Sequence, residues 1–442
     1  MTCRFAASAL LTLAAQLAAV GINLGLQLRA RAASPNEQQL PVTVGPGGAN
    51  FTSIQAAIDA ASTGQTIEVR SGTYRENVRI KKQLALRAVD TGGGKPIVDA
   101  AGRDSAVTLS ADHITVEGFK VTNSGKKWGD AGILVNSKNN IIRKNTVVKN
   151  HTGIMFQRCS QNTVADNDVS DNHSDGICLI GAAGNTIKGN TANSNKRAGI
   201  WLESAKKRGP PEPADHNTLD GNTASNNAAL GIALNTGADD NIVKDNRASG
   251  NREAGILLNC GPMRNTVSGN QVIKNVANGI LLTASGPQNR IMANQVHEND
   301  NGIAVLSSSG NTFTSNQVSR NRSYGIRIGQ MSPMHFVSTM CVLSQNNLID
   351  NKINAYDISG KPWQPPANAP SINAEMLRML STPNQWDDGS KGNHYSDFTK
   401  PSEGCVDANQ DGISDNPHPI PGGAAVDRFP LVAPIVPAAE KK

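Results

Sequence analysis

The chain has 442 residues, 42 of them glycine, and its 4 % aromatic content excludes a compact core built on aromatic packing. The formal charge of +6 falls to +3 once Arg4, Arg29 and Arg31 of the N-terminal segment are set aside. That balance mildly favours an anionic partner and gives no ground for expecting nucleic acid.

Residues 1–32 read as a signal peptide: Arg4 precedes the apolar run "FAASALLTLAAQLAAVGINLGLQL", and "ARA" offers small residues for cleavage. The expected location is secreted, periplasmic or at the cell surface. If the leader is not cleaved, it anchors the chain to a membrane. Beyond it, Cys159, Cys178, Cys260, Cys341 and Cys405 fit neither a disulfide framework nor a zinc site.

Residues 41–358 are expected to form one elongated unit. It opens with "FTSIQAAIDAAS", where Ile54, Ala57, Ile58 and Ala61 share one face of an amphipathic helix suited to capping an exposed core. A repeat then takes over. Gly-Ile recurs at Gly132, Gly153, Gly176, Gly199, Gly231, Gly255, Gly279, Gly302 and Gly325, in steps of 21 to 24 residues with a single step of 32. Between these marks asparagines beat every five residues, as in Asn162-Asn167-Asn172, through eight complete copies. A ninth copy keeps Asn346 and Asn351, with Cys341 in the first slot, while Ile114, Phe119 and Ser124 fill the slots one coil before the first copy. Each copy holds short β-like pieces and no helix, the pattern of an all-β, right-handed parallel β-helix. Its ten to eleven coils, stacked about 4.8 Å apart, make a rod on the order of 50 Å long. The asparagines fall at corners, where they are expected to adopt the left-handed backbone and to stack as hydrogen-bonded ladders.

In the Gly-Ile strand, alternation sends Ile177 and Leu179 inward and Cys178 outward. The outward slot in successive coils holds Leu134, Met155, Cys178, Trp201, Ala233, Leu257, Leu281, Ala304 and Arg327. So apolar a column needs a cover or a ligand, and the C-terminal segment is the expected cover. Insertions "GKKWGD" and "SAKKRGPPEPADH" flank this face. Trp128, Trp201, Glu203, Lys126, Lys127, Lys206, Lys207 and Arg208 form the candidate binding set for an acidic polysaccharide or cell-surface glycan, with tryptophan against sugar rings and cations against uronates. The best acid–base candidates are His151 and His173, stacked in adjacent coils, with Asp175 and Arg158. Asp175, Glu203 and Asp357 are the carboxylates read as outward-facing.

The second insertion, "MSPMHFVSTMC", gathers Met331, Met334, His335, Met340 and Cys341, soft ligands suited to Cu(I). Residues 359–383 read as a linker with a short helix, 384–432 as a tail, and 433–442 as a disordered end. In the tail, "DANQDGISD" spaces Asp407, Asn409, Asp411 and Asp415 with the Ile413 carbonyl in the manner of a structural calcium loop, although position 12 is His418 rather than glutamate.

The stretches "FTSIQAAIDAA" and "GTYRENVRI" resemble the start of pectin-lyase-like β-helix proteins, pectin methylesterases among them. The asparagine-rich coils resemble repeats of carbohydrate-associated and NosD-type proteins, and residues 384–432 resemble the tail of NosD-like and cell-surface β-helix proteins. The resemblance covers most of the mature chain and is specific for fold rather than activity. The wider superfamily implies polysaccharide lyases, hydrolases, epimerases and esterases; an active member here would be a lyase or epimerase, because the carboxylate set and partner motifs of a hydrolase are missing. The NosD resemblance implies periplasmic copper delivery for nitrous oxide reductase maturation. A non-catalytic surface scaffold or adhesin is the third expectation.

Overall fold

The computed structural model describes residues 41–205, 212–331, 336–360, 378 and 381–436. The leader and most of the 359–383 linker, with its expected helix, lie outside those residues.

From Val42 onward the chain winds as a right-handed parallel β-solenoid. One sheet has thirteen strands running from Val42–Val44 to Val342–Ser344, and the Gly-Ile sheet has twelve, from Val78–Ile80 to Ile353–Asp357. The remaining sheet is a four-stranded and a six-stranded run, joined through single bridges at Asp168, Thr191 and Thr223. The twelve strands exceed the ten to eleven expected coils because Val78–Ile80 and Val107–Leu109 form coils that lack both Gly-Ile and the asparagine triad. Register is maintained from coil to coil: Ile133, Ile154, Ile177, Ile200 and Ile232 are successive partners, and all are fully buried.

The ladders run the length of this stack. Asn162 Oδ1 accepts from both the backbone N–H and the Nδ2 of Asn140, each at 2.9 Å. The second proton of the amide goes to strand carbonyls, as when Asn167 Nδ2 donates to Ile142 O at 2.9 Å. One side chain therefore satisfies a corner amide that no strand partner reaches. The expected left-handed asparagine is a correction: the left-handed residue is the one before it, with φ of 57° at Lys144 and 56° at Asp166 and Asp245. The asparagine is retained for its amide, not its backbone. The glycine of Gly-Ile is also required by space, since a Cβ on Gly153 would lie 2.3 Å from Val169 Cγ1, and one on Gly255 would lie 2.4 Å from Val272 Cγ1.

The two ends are closed differently. Helix α1 (Ile54–Ala60) buries Ile54, Ala57 and Ile58. Its free N–H groups at Ile54 and Gln55 are accepted by the Glu76 carboxylate at 2.8 and 2.9 Å. At the other end the C-terminal segment is the expected cover for the outward column; among the described residues, 384–395 instead supply a further turn. Asn384 Oδ1 accepts from Cys341 N at 2.9 Å and Asn393 Oδ1 from Asn346 Nδ2 at 2.8 Å, so two ladders continue into the tail. Trp386 and Tyr395 fill the space beneath, fully buried. Asp357, read as outward from sequence, is buried here and accepts from Trp386 Nε1 at 2.8 Å and Asn384 Nδ2 at 3.0 Å.

Candidate functional site

The outward face of the Gly-Ile sheet follows from alternation and register. Leu134, Met155, Cys178, Trp201, Ala233, Leu257, Leu281, Ala304, Arg327 and Tyr356 are consecutive partners in one column, as the sequence pattern requires. Two positions toward the strand tail a second column carries Gln157, Ile180 and Glu203. These side chains pack on one another: Met155 and Cys178 cluster with Leu134, Ile180 and Trp201, and Trp201 also meets a second cluster around Ala233 and Leu257. The loop at 125–130 bends over the N-terminal part of this face, where Gly129 lines a hollow with Thr108 and Leu134.

At the centre of the face is a charged constellation. Asp175 occupies the slot before Gly176, and its side chain is 1 % exposed. It holds Arg197 from the next coil through two guanidinium nitrogens, Nε to Oδ1 at 2.8 Å and Nη2 to Oδ2, and also accepts Ala198 N at 3.1 Å. The guanidinium lies over Trp201, 4.0 Å from the ring centroid. The indole Nε1 donates to Glu203 Oε2 at 3.2 Å. Burial, followed by the Asp175 charge, pushes the Cys178 thiol well above its usual range.

Beside the face, the third corner carries His151, His173 and Lys196 after Asn150, Asn172 and Asn195 in successive coils, joined by His173 N to Asn150 O at 2.8 Å and Lys196 N to Asn172 O at 3.0 Å. A hollow of about 470 Å³ opens there, lined by Arg75, Lys126, Lys149 and His173 among others. The carboxylate in its lining, Asp99, is already bonded to Ala101 N and Asn123 Nδ2, at 2.9 and 3.0 Å.

The structure therefore separates residues the sequence grouped together. His151 and His173 hold the same corner slot in adjacent coils, but Asp175 is committed to Arg197, and Arg158 lies past the other end of its strand, paired with Glu212 at 2.9 Å. No acid–base centre is made from these four. Trp128 is 74 % exposed on the loop before Ala131–Val135, whereas Trp201 is three strands away in the sheet order, about 14 Å by strand spacing. Lys127 anchors that loop through its N–H to Asp130 Oδ2 at 2.8 Å. Lys206, Lys207 and Arg208 lie outside the described residues; the insertion that carries them closes on an Ala205–Glu212 bridge. Arg197 was missed by sequence reading.

The metal candidates also divide. Met334 and His335 lie outside the described residues. Cys341 does not fit a copper set, because it faces the core, fully buried, with its thiol directed to Ser308 O at 3.5 Å. Met331 Sδ accepts from Thr283 Oγ1 at 2.9 Å, and Met340 is exposed at a corner. In the tail, the Asp407 carboxylate accepts Asp411 N and Gly412 N, Asp411 accepts Ile413 N, Asn409 accepts Asp411 N, and Asp415 accepts Ala408 N. These bonds shape the loop by Asx-type turns. Among the described residues, no group of three or more His, Cys, Asp or Glu side chains is disposed to hold a metal ion.

Stacked asparagine ladders and strands held in register from coil to coil define a right-handed parallel β-solenoid. The sequence matches the family described as "Periplasmic copper-binding protein (NosD)" over residues 58–238 and 212–399, and the chain belongs to that family. No curated protein matches it in sequence. Among solved structures it is similar to the A-module of a mannuronan C-5 epimerase, AlgE4, from Azotobacter vinelandii, with a TM-score of 0.51 and 18 % identity over 68 % of this chain and 90 % of that one. It is also similar to the periplasmic alginate epimerase AlgG, with a TM-score of 0.46 and 17 % identity over 65 % of this chain and 73 % of that one. At such identities the likeness is one of fold.

Proposed function

We propose that this protein acts outside the cytoplasm and binds an acidic polysaccharide along the third corner and the adjoining outward face of the Gly-Ile sheet. The observation that carries the reading is the cation-lined hollow. Arg75, Lys126 and Lys149 line it beside His173, three cations against the one carboxylate of Asp99, and His173 belongs to the same corner file as Lys196, next to Arg197. A row of cations beside a partly apolar sheet face suits a polymer with carboxylates on one side and sugar rings on the other. The family's periplasmic description supports the location. No catalytic step is assigned, because the acid and base candidates do not converge.

The test is direct binding of the mature protein to alginate, polygalacturonate and a neutral glucan over a range of salt, followed by calorimetry. Affinity for the acidic polymers that falls as salt rises is expected. Equal binding of the neutral glucan, or no binding of any polymer, overturns the proposal.

Family membership favours a second reading, in which the chain carries Cu(I) as cargo. Its remaining ligands would be Met331, Met334, His335 and Met340, without Cys341. Competition with a chromophoric Cu(I) chelator, in the native protein and in Met331→Leu with Met340→Leu, tests it; retained copper affinity in the double variant removes that site.

A further inference from the structure

We infer that Arg197 is a pre-positioned carboxylate reader that selects uronic acids over neutral sugars. This rests on the glycan-binding reading above and names the group within it that discriminates.

Three contacts fix the guanidinium. Asp175 takes the Nε and Nη2 side, and Asp175 is itself locked by Ala198 N at 3.1 Å and by burial. The Trp201 ring lies beneath, its centroid 4.0 Å from Cζ. The indole is held in turn by Glu203 at 3.2 Å. What remains is the Nη1 side and the outer edge shared by Nη1 and Nη2. Among the described residues no hydrogen bond is made by Nη1, and the Arg197 side chain is 42 % exposed against 1 % for Asp175.

That open edge presents two parallel N–H groups in one plane, the geometry a carboxylate accepts in a bidentate pair. The arginine's conformational freedom is already spent on its neighbours, so a ligand loses little further entropy in meeting it. The charge of Arg197 is more than offset by Asp175 and Glu203, so the constellation contributes no long-range attraction to an anion. Attraction falls to Lys126, Lys149 and Lys196, and discrimination falls to Arg197. The two roles are separable by salt, because screening weakens the distant lysines far more than a contact pair.

The experiment compares wild type with Arg197→Lys, Arg197→Met and Asp175→Asn on three ligands: an oligouronate, a sulfated oligosaccharide and a neutral oligosaccharide of equal length. In Arg197→Lys the charge stays and the planar fork goes. The preference for uronate over the neutral sugar is expected to fall about tenfold while the salt dependence is kept. Asp175→Asn frees the guanidinium and is expected to lower the same preference, with thermal melts confirming a folded solenoid; if that variant does not fold, the two Arg197 variants decide. An unchanged preference in both Arg197 variants overturns the inference while leaving glycan binding intact, as does a fall in sulfated-ligand binding in those variants equal to the fall in uronate binding. Loss of all glycan binding in the wild type instead removes the underlying reading.

Discussion

The two ends of the solenoid meet the same ladders in opposite ways. At the N-terminal end the first asparagines, Asn140, Asn145 and Asn150, use their Oδ1 atoms to accept the backbone N–H groups of Ile114, Phe119 and Ser124, at 2.8, 3.0 and 3.1 Å. Backbone is sufficient there, and Ile114 and Phe119 serve as apolar filling. At the C-terminal end each ladder runs out with donors in hand. Asn384 Nδ2 is received by Asp357 at 3.0 Å, Asn393 N by Asp427 at 2.7 Å, and the last amide of the third ladder, Asn354 Nδ2, by Asp397 at 2.7 Å. A ladder of aligned amides has a donor end and an acceptor end, much as a helix does. This chain answers the donor end with carboxylates.

Cutting a ladder in the middle should have the largest effect. Asn222→Ala removes the Oδ1 that accepts Asn190 N and Asn190 Nδ2, both at 3.0 Å, and leaves a buried N–H unpaired. A loss of about 2–4 kcal/mol is expected in chemical denaturation. An unchanged midpoint would mean the ladder is ornament rather than support. At the donor end Asp357→Ala orphans Trp386 Nε1 and Ser359 N and takes one of its two partners from Asn384 Nδ2. It should cost about 2–3 kcal/mol. Its counterpart at the acceptor end, Ile114→Val, should cost only about 1 kcal/mol, because a methylene is lost and no polar group is exposed. If the two substitutions prove equal, the asymmetry between the ends is not energetic.

A different kind of effect is a slope with pH. Burial pushes the Asp427 carboxyl up from 3.8 to about 7, against the hydrogen bonds that favour its charge. The folded state therefore holds this proton more tightly than the unfolded chain does. Its contribution is fully present below pH 3.8 and is lost as pH rises toward about 7. The slope is at most about 1.4 kcal/mol per pH unit. Asp427→Asn should remove that component, read as the difference between the two stability–pH curves; parallel curves would place the titration elsewhere.

Much of this was legible in the residues. Spacing alone places Ile177 inside, Cys178 outside and Trp201 over Cys178, because strand alternation and a constant coil length leave no other register. The same arithmetic found Asp175 and Glu203 on the outer face. It missed Arg197, which lies 22 residues from Asp175, one coil less one residue, so the pairing is diagonal rather than along a column. That offset is a signal a search for opposite charges near the coil length could have caught.

Sequence by itself determined the solenoid, its asparagine files and which side chains of the Gly-Ile strands point away from the core, since all of these repeat and repetition encodes stacking. Only the tertiary structure decided that the tail becomes a final coil, that Asp357 turns inward, that Arg158 pairs with Glu212 and that Arg197 lies on Trp201. These are events at positions where the repeat is silent. A contact made once, between residues with no counterpart in neighbouring coils, depends on where the folded backbone brings two side chains, and periodicity carries no record of it.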